Sequence, residues 1–512
     1  MPPDTPLRVA VIGAGITGLA AAHRLTAGTL ETAKNGETAR NRETVVTVLE
    51  ASGRTGGIIR TEHRDGFLME LGPDSFITNK PGAVQLCDEV GFTDQLIPTD
   101  ETWRRSLVLR NGRPLPVPEG FLLMAPSSPW AIVTTPILSP LGRLRLLAEA
   151  LVRPRLSGDD ESLASFVRRR FGRQTLDRLV QPLVGGIYTS DPEKLSLLAT
   201  LPRFPELERV YGSVIRGTLA QQRQQSAARR RDAGGSGARY HLFLTARDGL
   251  SQLTDAVTRA CTASGRVTLT LNCRVSSVAP QNSAESGEAG RYDADPREQH
   301  RRTGWCVSIE GEPLPRQFDA VILTLPTHQS ARLLSDDRCA ELRTALQAIP
   351  YASSAIVVTG HDLSDFDHPL DAFGLVVPHI ERRSVLAVSF SSRKFPGRAP
   401  KGKILLRTFI GGAMQPELLQ QDDTALRALT DRELRSLLKM KRSPQLVEVV
   451  RYSRAMPQYH VGHLDSVARI EQLSAHWPGL ELAGSAYHGV GIPDSIASGR
   501  AAADRVLAAR TA

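Results

Sequence analysis

Three glycines at the spacing GxGxxG, Gly13, Gly15 and Gly18, are the first residues of this 512-residue chain whose pattern could do chemistry. They follow the run Val9-Ala10-Val11-Ile12 and precede the alanine-rich Leu19-Ala20-Ala21, so they read as a tight turn between a strand and a helix. In such a turn Gly13 makes the bend, Gly15 lets the backbone approach a pyrophosphate, and Gly18 lets helix and strand pack. The amides around Ala14, Ile16 and Thr17 would face the anion at the positive end of the helix. A second run, Thr44-Val45-Val46-Thr47-Val48-Leu49, ends on Glu50, an acid placed to accept hydrogen bonds from ribose hydroxyls and to disfavour a 2′-phosphate. Behind it Ala51 leads into Gly53-Arg54-Thr55-Gly56-Gly57, where Gly57 allows a second close backbone approach and Arg54 supplies a cation for the pyrophosphate. The pattern predicts a dinucleotide held by its ADP half.

Other patterns exclude more than they assign. There is no GxSxG and no HExxH, so neither a nucleophile elbow nor a zinc protease helix is expected. His460 and His463 make an HxxH spacing without a nearby carboxylate ligand, which reads as loop structure; no metal site is expected.

These residues need elements to position them. After the first helix, residues 28–42 are polar and glycine-bearing and read as a surface insertion that lengthens the gap to Glu50. Residues 103–118, with Asn111-Gly112 as the turn, predict a β-hairpin. Residues 141–183 have helical periodicity, with a cap in the region of residues 160–162, and Arg168-Arg169-Arg170 reads as a solvated helix face. Residues 221–239 are low in complexity and read as a solvated loop. A helix should begin at Gly249-Leu250, and residues 267–278 read as a strand pair followed by a second polar insertion, 281–303. Val321-Ile322-Leu323-Thr324-Leu325-Pro326 has the continuous apolar character of a buried parallel strand. Alternating runs over 355–359, 385–390 and 404–410 with a helix near 423–438 predict a sheet floor. The chain closes on another strand, glycine turn (489–491) and alanine-rich helix.

Bulk properties set the frame. A net charge of +9 suits an anionic ligand or an acidic membrane surface, but no basic stripe interleaved with aromatics points to nucleic acid. Five scattered cysteines without a CxxC fit a reducing compartment, and no secretory leader is visible, so the expectation is a cytoplasmic protein. The nearest approach to a spanning segment, residues 121–138, is broken by Pro126, Pro129 and Pro136. It leaves open only a peripheral contact with the inner face of the cell membrane, against the plainer reading of a substrate-domain loop.

The Gly53–Gly57 cluster directly behind Glu50 resembles the GRxGG element of amine-oxidase-like and desaturase flavoproteins. Within that superfamily, Leu71-Gly72-Pro73-Asp74-Ser75-Phe76 resembles the bacterial porphyrinogen oxidases. So do residues 184–197 (VGGIYTSDPEKLSL), 456–463 (MPQYHVGH) and 489–494 (GVGIPD), in collinear order over nearly the whole chain. The resemblance implies an α/β fold: a Rossmann-type FAD-binding domain interleaved with an α+β substrate-binding domain and a helical subdomain. The expected division is residues 1–100, 241–340 and 451–512 for FAD, 101–240 for substrate-binding and helical segments, and 341–450 for the substrate sheet. It implies non-covalent FAD, held also by Gly72, Pro73, Asp74 and Ser75, by the backbone of Val275, by Tyr452, and by Val490, Gly491 and Ile492 at the flavin end. It further implies oxidation of coproporphyrinogen III, or second protoporphyrinogen IX, by O2 with release of hydrogen peroxide, and hand-over to the next haem-pathway enzyme. Lys80 and Arg105 are candidates for substrate carboxylates, and Gly186 and Ile187 for the pocket wall. An amine oxidase or carotenoid desaturase is the rival enzyme, and a binder like the GDP-dissociation inhibitors the rival without catalysis.

Overall fold

The computed structural model describes residues 6–27, 44–118, 121–122, 124–126, 129–155, 157–231, 242–281 and 304–509. The expected insertion at 28–42, all of 281–303 beyond Gln281, and residues 232–239 lie outside the described residues.

The first strand, Leu7–Ile12, is fully enclosed from Val9 onward, as a strand with branched residues on both faces must be. It pairs in parallel with Thr44–Leu49 on one side and Ala320–Leu323 on the other. Val267–Thr270 and Leu480–Leu482 complete a five-stranded parallel sheet at its two edges. The helix Ile16–Ala27 covers this sheet and packs on the last helix, Ile492–Ala508. A Cβ on Gly18 would sit 2.0 Å from the Gly13 carbonyl oxygen, so no other residue lets the helix start this close to the turn.

A second sheet has seven strands, in the order Leu446–Pro457, Tyr351–Asp362, Lys403–Gly411, Ala387–Phe390, Gly374–Val376, Ser106–Arg110 and Arg113–Pro116. All neighbours are antiparallel except Gly374–Val376 beside Ser106–Arg110. The Asn111-Gly112 hairpin ends it, with both residues at positive φ (50° and 73°) as a type I′ turn requires. The helix Asp423–Leu438 closes one face through Leu426, Leu429, Leu434 and Leu437. A third core gathers the helices from Pro129–Thr134 to Val214–Arg231. Ser162 caps one of them, Leu163–Arg170, by accepting from the Ser165 amide at 3.1 Å. Residues 121–138 mostly feed this core: Phe121, Met124, Ile132, Ile137 and Leu138 are buried.

Three expectations need correction. Residues 267–278 are not a strand pair. Val267–Thr270 joins the parallel sheet, while Val275–Pro280 crosses into an antiparallel sheet with Trp305–Ile309 and Arg316–Phe318; Asn272, at a φ of 52°, turns the chain between them. Residues 221–231 are not a loop but continue the helix Val214–Arg231, because glutamine, arginine and alanine are good helix formers whatever their complexity. The arginine triplet is not a solvated face. Only Arg168 is exposed, paired with Glu193. Arg169 reaches Glu208 at 2.6 Å and Glu161 at 2.7 Å. Arg170 is fully buried and pairs with the equally buried Glu149 and with Glu208. Glu149 also accepts from the Ser213 hydroxyl and the Val214 amide, capping the long helix.

A buried pair that loses one member leaves the other charge uncompensated. Glu149→Leu is therefore expected to cost about 3–5 kcal/mol, read as a lowered thermal and urea midpoint, whereas Arg168→Ala should stay within about 0.5 kcal/mol of the parent.

Candidate active site

At the glycine turn Gly13 has a φ of 103° and its amide donates to the Leu49 carbonyl at 2.8 Å, tying the first strand to the end of the second. Glu50 stands just past that end. One carboxylate oxygen accepts from the Ala14 amide (2.8 Å) and the other from the Ser52 amide (2.8 Å) and hydroxyl (2.7 Å). The Gly53–Gly57 loop folds over the turn: Gly56 donates to the Ala14 carbonyl at 2.8 Å and bridges to Gly15. Arg54 turns back into its own loop and donates to the Thr55 (3.0 Å) and Ile59 (2.9 Å) carbonyls.

Gly13, Glu50, Ala51 and Val275 line one cavity of about 340 Å³. Leu325, Gln329 and Arg332, from the end of the Ala320–Leu323 strand and the following helix, join them. The residue types expected to hold an ADP group are thus brought together, although they lie as far as 262 positions apart (Gly13 to Val275). Sequence reading missed Gln329 and Arg332; the Pro326 stop after a buried strand was the available signal.

The segment at the other end of the turn is anchored from the second sheet. Tyr452 donates its hydroxyl to the Leu71 carbonyl at 2.5 Å, and Arg407 donates to the Gly72 carbonyl. Asp74 accepts from Lys394 at 2.9 Å and pairs with Arg407 at 3.1 Å, while Ser75 donates to it at 2.8 Å. Burial alone would push the Asp74 carboxyl up, but Lys394 and Arg407 together outweigh it and hold it well below the usual carboxylate range. Arg407 was missed, yet a lone charge inside the apolar run Ile404-Leu405-Leu406-Arg407-Thr408-Phe409-Ile410 is itself a signal, because such a residue is buried only when paired.

Ile492–Ala508 starts at the same end. Asp494 accepts from the Gly491 amide at 3.3 Å and pairs with Lys80 at 2.6 Å. Tyr459 accepts from the Gly489 amide (2.8 Å), donates to the Ser485 carbonyl (2.7 Å) and stacks on His463 with ring centres 3.8 Å apart. Among the described residues no histidine, cysteine and carboxylate group is clustered for a metal.

A larger cavity, about 520 Å³, opens beside Tyr452. Its wall includes Tyr351, Ser353, Gly412, Gln458 and His460. Gly186 and Ile187 lie in the last turn of the helix Gln181–Tyr188, whose following residue, Thr189, accepts from the Ala413 amide of that wall at 2.8 Å. Lys80 and Arg105 line neither cavity: Lys80 is held by Asp494, and Arg105 by Asp371 through its carboxylate and its carbonyl.

The family model described as flavin containing amine oxidoreductase matches residues 16–507. The chain belongs to this family. It is 34% identical to the coproporphyrinogen III oxidase of Propionibacterium freudenreichii subsp. freudenreichii, with 100% of this chain and 93% of that one covered. It is 28% identical to the coproporphyrinogen III oxidase of Staphylococcus aureus (strain NCTC 8325 / PS 47), covering 98% and 99%. Its fold superposes on a crystal structure from Exiguobacterium sp. 255-15, provisionally named protoporphyrinogen oxidase, with a TM-score of 0.79, 26% identity and 99% of both chains covered.

The protein is accordingly a flavin-dependent oxidoreductase, and FAD is its cofactor. The donor set of this flavoprotein fits that group. The helix Ile16–Ala27 offers free amides to a pyrophosphate, Glu50 offers a carboxylate to ribose hydroxyls, and Arg274 and Arg332 border the adenosine-sized cavity. Gly57, at a φ of 59°, comes so close to Gly15 that an added Cβ would lie 3.2 Å from its Cα.

Purified Glu50→Ala should bind FAD about ten- to a hundredfold more weakly, since one charge-assisted hydrogen bond contributes about 1.5–3 kcal/mol. Gly57→Val should emerge largely colourless. Flavin absorbance per protein and titration with free FAD measure both.

Proposed function

We propose that this flavoenzyme oxidises coproporphyrinogen III to coproporphyrin III in haem biosynthesis, with protoporphyrinogen IX as the second substrate. The observation that carries the reading is full-length similarity to two bacterial proteins named for that reaction, together with a 520 Å³ cavity lined by Tyr452, whose hydroxyl holds the Leu71 carbonyl. Bound FAD supplies the acceptance of electron pairs from the macrocycle and their delivery to O2, which leaves as hydrogen peroxide.

The chain's own residues have the remaining tasks. The Tyr452 and Arg407 ties hold the backbone at Leu71 and Gly72 rigid against the second sheet, so a macrocycle in the cavity meets a fixed surface. Tyr351, Gln458 and Gly412 wall that space and limit water around the reacting carbon. His460 also lines it. Burial lowers its pKa, the neighbouring Lys194 lowers it further, and Asp191 opposes both.

The same reading places the enzyme in the cytoplasm, in peripheral contact with the inner face of the membrane, handing its porphyrin to the next haem-pathway enzyme. Trp130 is 72% exposed, and Leu141, Leu144 and Leu151 are exposed nearby in sequence, which supports the membrane contact. No described helix is long and apolar enough to cross a bilayer.

Holoenzyme mixed in air with each porphyrinogen should generate the fluorescent porphyrin and consume O2 with matching peroxide, faster for coproporphyrinogen III. Turnover of amines or carotenes with neither porphyrinogen oxidised would overturn the reading in favour of its superfamily rivals.

A further inference from the structure

The cations nearest the larger cavity differ in whether they already have a partner. Arg451 lines it but donates to Asp423 at 2.7 Å and to the Leu419 carbonyl at 3.0 Å. Arg407 and Lys394 are held by Asp74, Lys80 by Asp494 and Arg105 by Asp371. Two remain without a hydrogen-bond or ion-pair partner for the side chain among the described residues, Lys194 and Arg454. Lys194 is exposed, lines the cavity and bears electrostatically on His460, another lining residue. The one lining carboxylate, Asp191, accepts from the Glu193 amide at 3.0 Å and so caps its own turn.

Arg454 is set by an irregularity in the sheet. Where Tyr351–Asp362 meets Leu446–Pro457, Ala352 faces Met456 and Ser354 faces Tyr452, so residues 453–455 all stand opposite Ser353. This bulge puts Arg454 at a φ of 46° with its amide donating to the Ser353 hydroxyl at 2.9 Å. Bulges of this kind re-aim a side chain. Arg382 and Lys439, also at positive φ, end helical turns, whereas Arg454 is inside a strand. An arginine is an uncommon choice there, where glycine or asparagine would be relaxed, and such outliers gather at ligand sites. The flanking Ser453 and the bonded Ser353 both line the cavity, and the Arg454 charge acts on Tyr351, a third lining residue, and on His328.

We propose that Lys194 and Arg454 form a two-point clamp for carboxylates of the macrocycle, replacing Lys80 and Arg105 in that role, and that the clamp sets preference by carboxylate number. The inference rests on the porphyrinogen reading of the site. Two separated cations gain most from a ligand that presents a carboxylate to each in one pose, which four propionates do more often than two. Both cations are solvent-exposed, so each contact is modest and weakens with salt.

Steady-state kinetics of the holoenzyme with both porphyrinogens test this. Lys194→Ala and Arg454→Ala should each raise KM for coproporphyrinogen III about two- to fivefold, as expected of exposed ion pairs, with kcat within twofold, and with a smaller rise for protoporphyrinogen IX. Lys194→Arg and Arg454→Lys should recover most of the affinity. Arg454→Gly, which relaxes the backbone, should keep the raised KM while leaving the thermal midpoint equal or higher. Raised salt should narrow the gap between parent and variants. Unmoved KM values with a normally active parent would overturn the clamp and leave the proposed reaction standing. A parent inert to both porphyrinogens would overturn the reaction and the clamp together. Equal KM increases for both substrates would overturn the selection by carboxylate number.

Discussion

Arg407 joins the two halves of this molecule. It belongs to the seven-stranded sheet, is 2% exposed, and spends its guanidinium on the Gly72 carbonyl and the Asp74 carboxylate of a segment that leads out of the cofactor half. A buried charge is tolerable only when its partners are all in place. The tie therefore holds if, and only if, the second sheet is docked in one register against the segment 72–75. Tyr452, from the strand Leu446–Pro457, on the Leu71 carbonyl and Lys394, from the short helix Ser391–Lys394 that follows the strand Ala387–Phe390, on Asp74 add two further ties, so docking is specified from three elements. The larger cavity, beside Tyr452, inherits its shape from this agreement.

What could be read directly from the sequence follows the same division. The cofactor half was legible because its chemistry is local. A glycine turn, a strand-end acid and a second glycine loop each depend on neighbours in the chain, and Gly13, Glu50 and Ala51 meet around one cavity, joined there by Val275, which only the family resemblance had pointed to. The hairpin at Asn111-Gly112 and the Ser162 cap were legible for the same reason. The substrate half was not, because its decisive interactions are pairings across more than 300 positions: Arg407 to Gly72 spans 335, and Lys394 to Asp74 spans 320.

Charge makes the difficulty concrete. Sequence composition counts cations but cannot say which are already neutralised. Lys80 and Arg105 drew attention as basic residues beside informative motifs, and each turned out to have a carboxylate of its own. Arg169 and Arg170 looked like surface and are held by Glu149, Glu161 and Glu208. The amphipathic reading of that helix failed because it assumed that a charge must face water, whereas two acids from other helical segments supplied a substitute for water.

The same rule fixes where a ligand carboxylate can be bound with gain. A cation already paired in the folded protein must give up that partner to receive a substrate, and the exchange gains little, because one carboxylate merely replaces another. A cation held near a cavity without a partner loses only part of its hydration. Lys194 and Arg454 are in that second condition, and at the sheet bulge residues 453–455 stand opposite one residue, with Arg454 at a φ of 46° that breaks the strand's alternation. Substrate affinity in this flavoenzyme is then governed less by how many basic residues surround the cavity than by which of them the fold has left uncommitted.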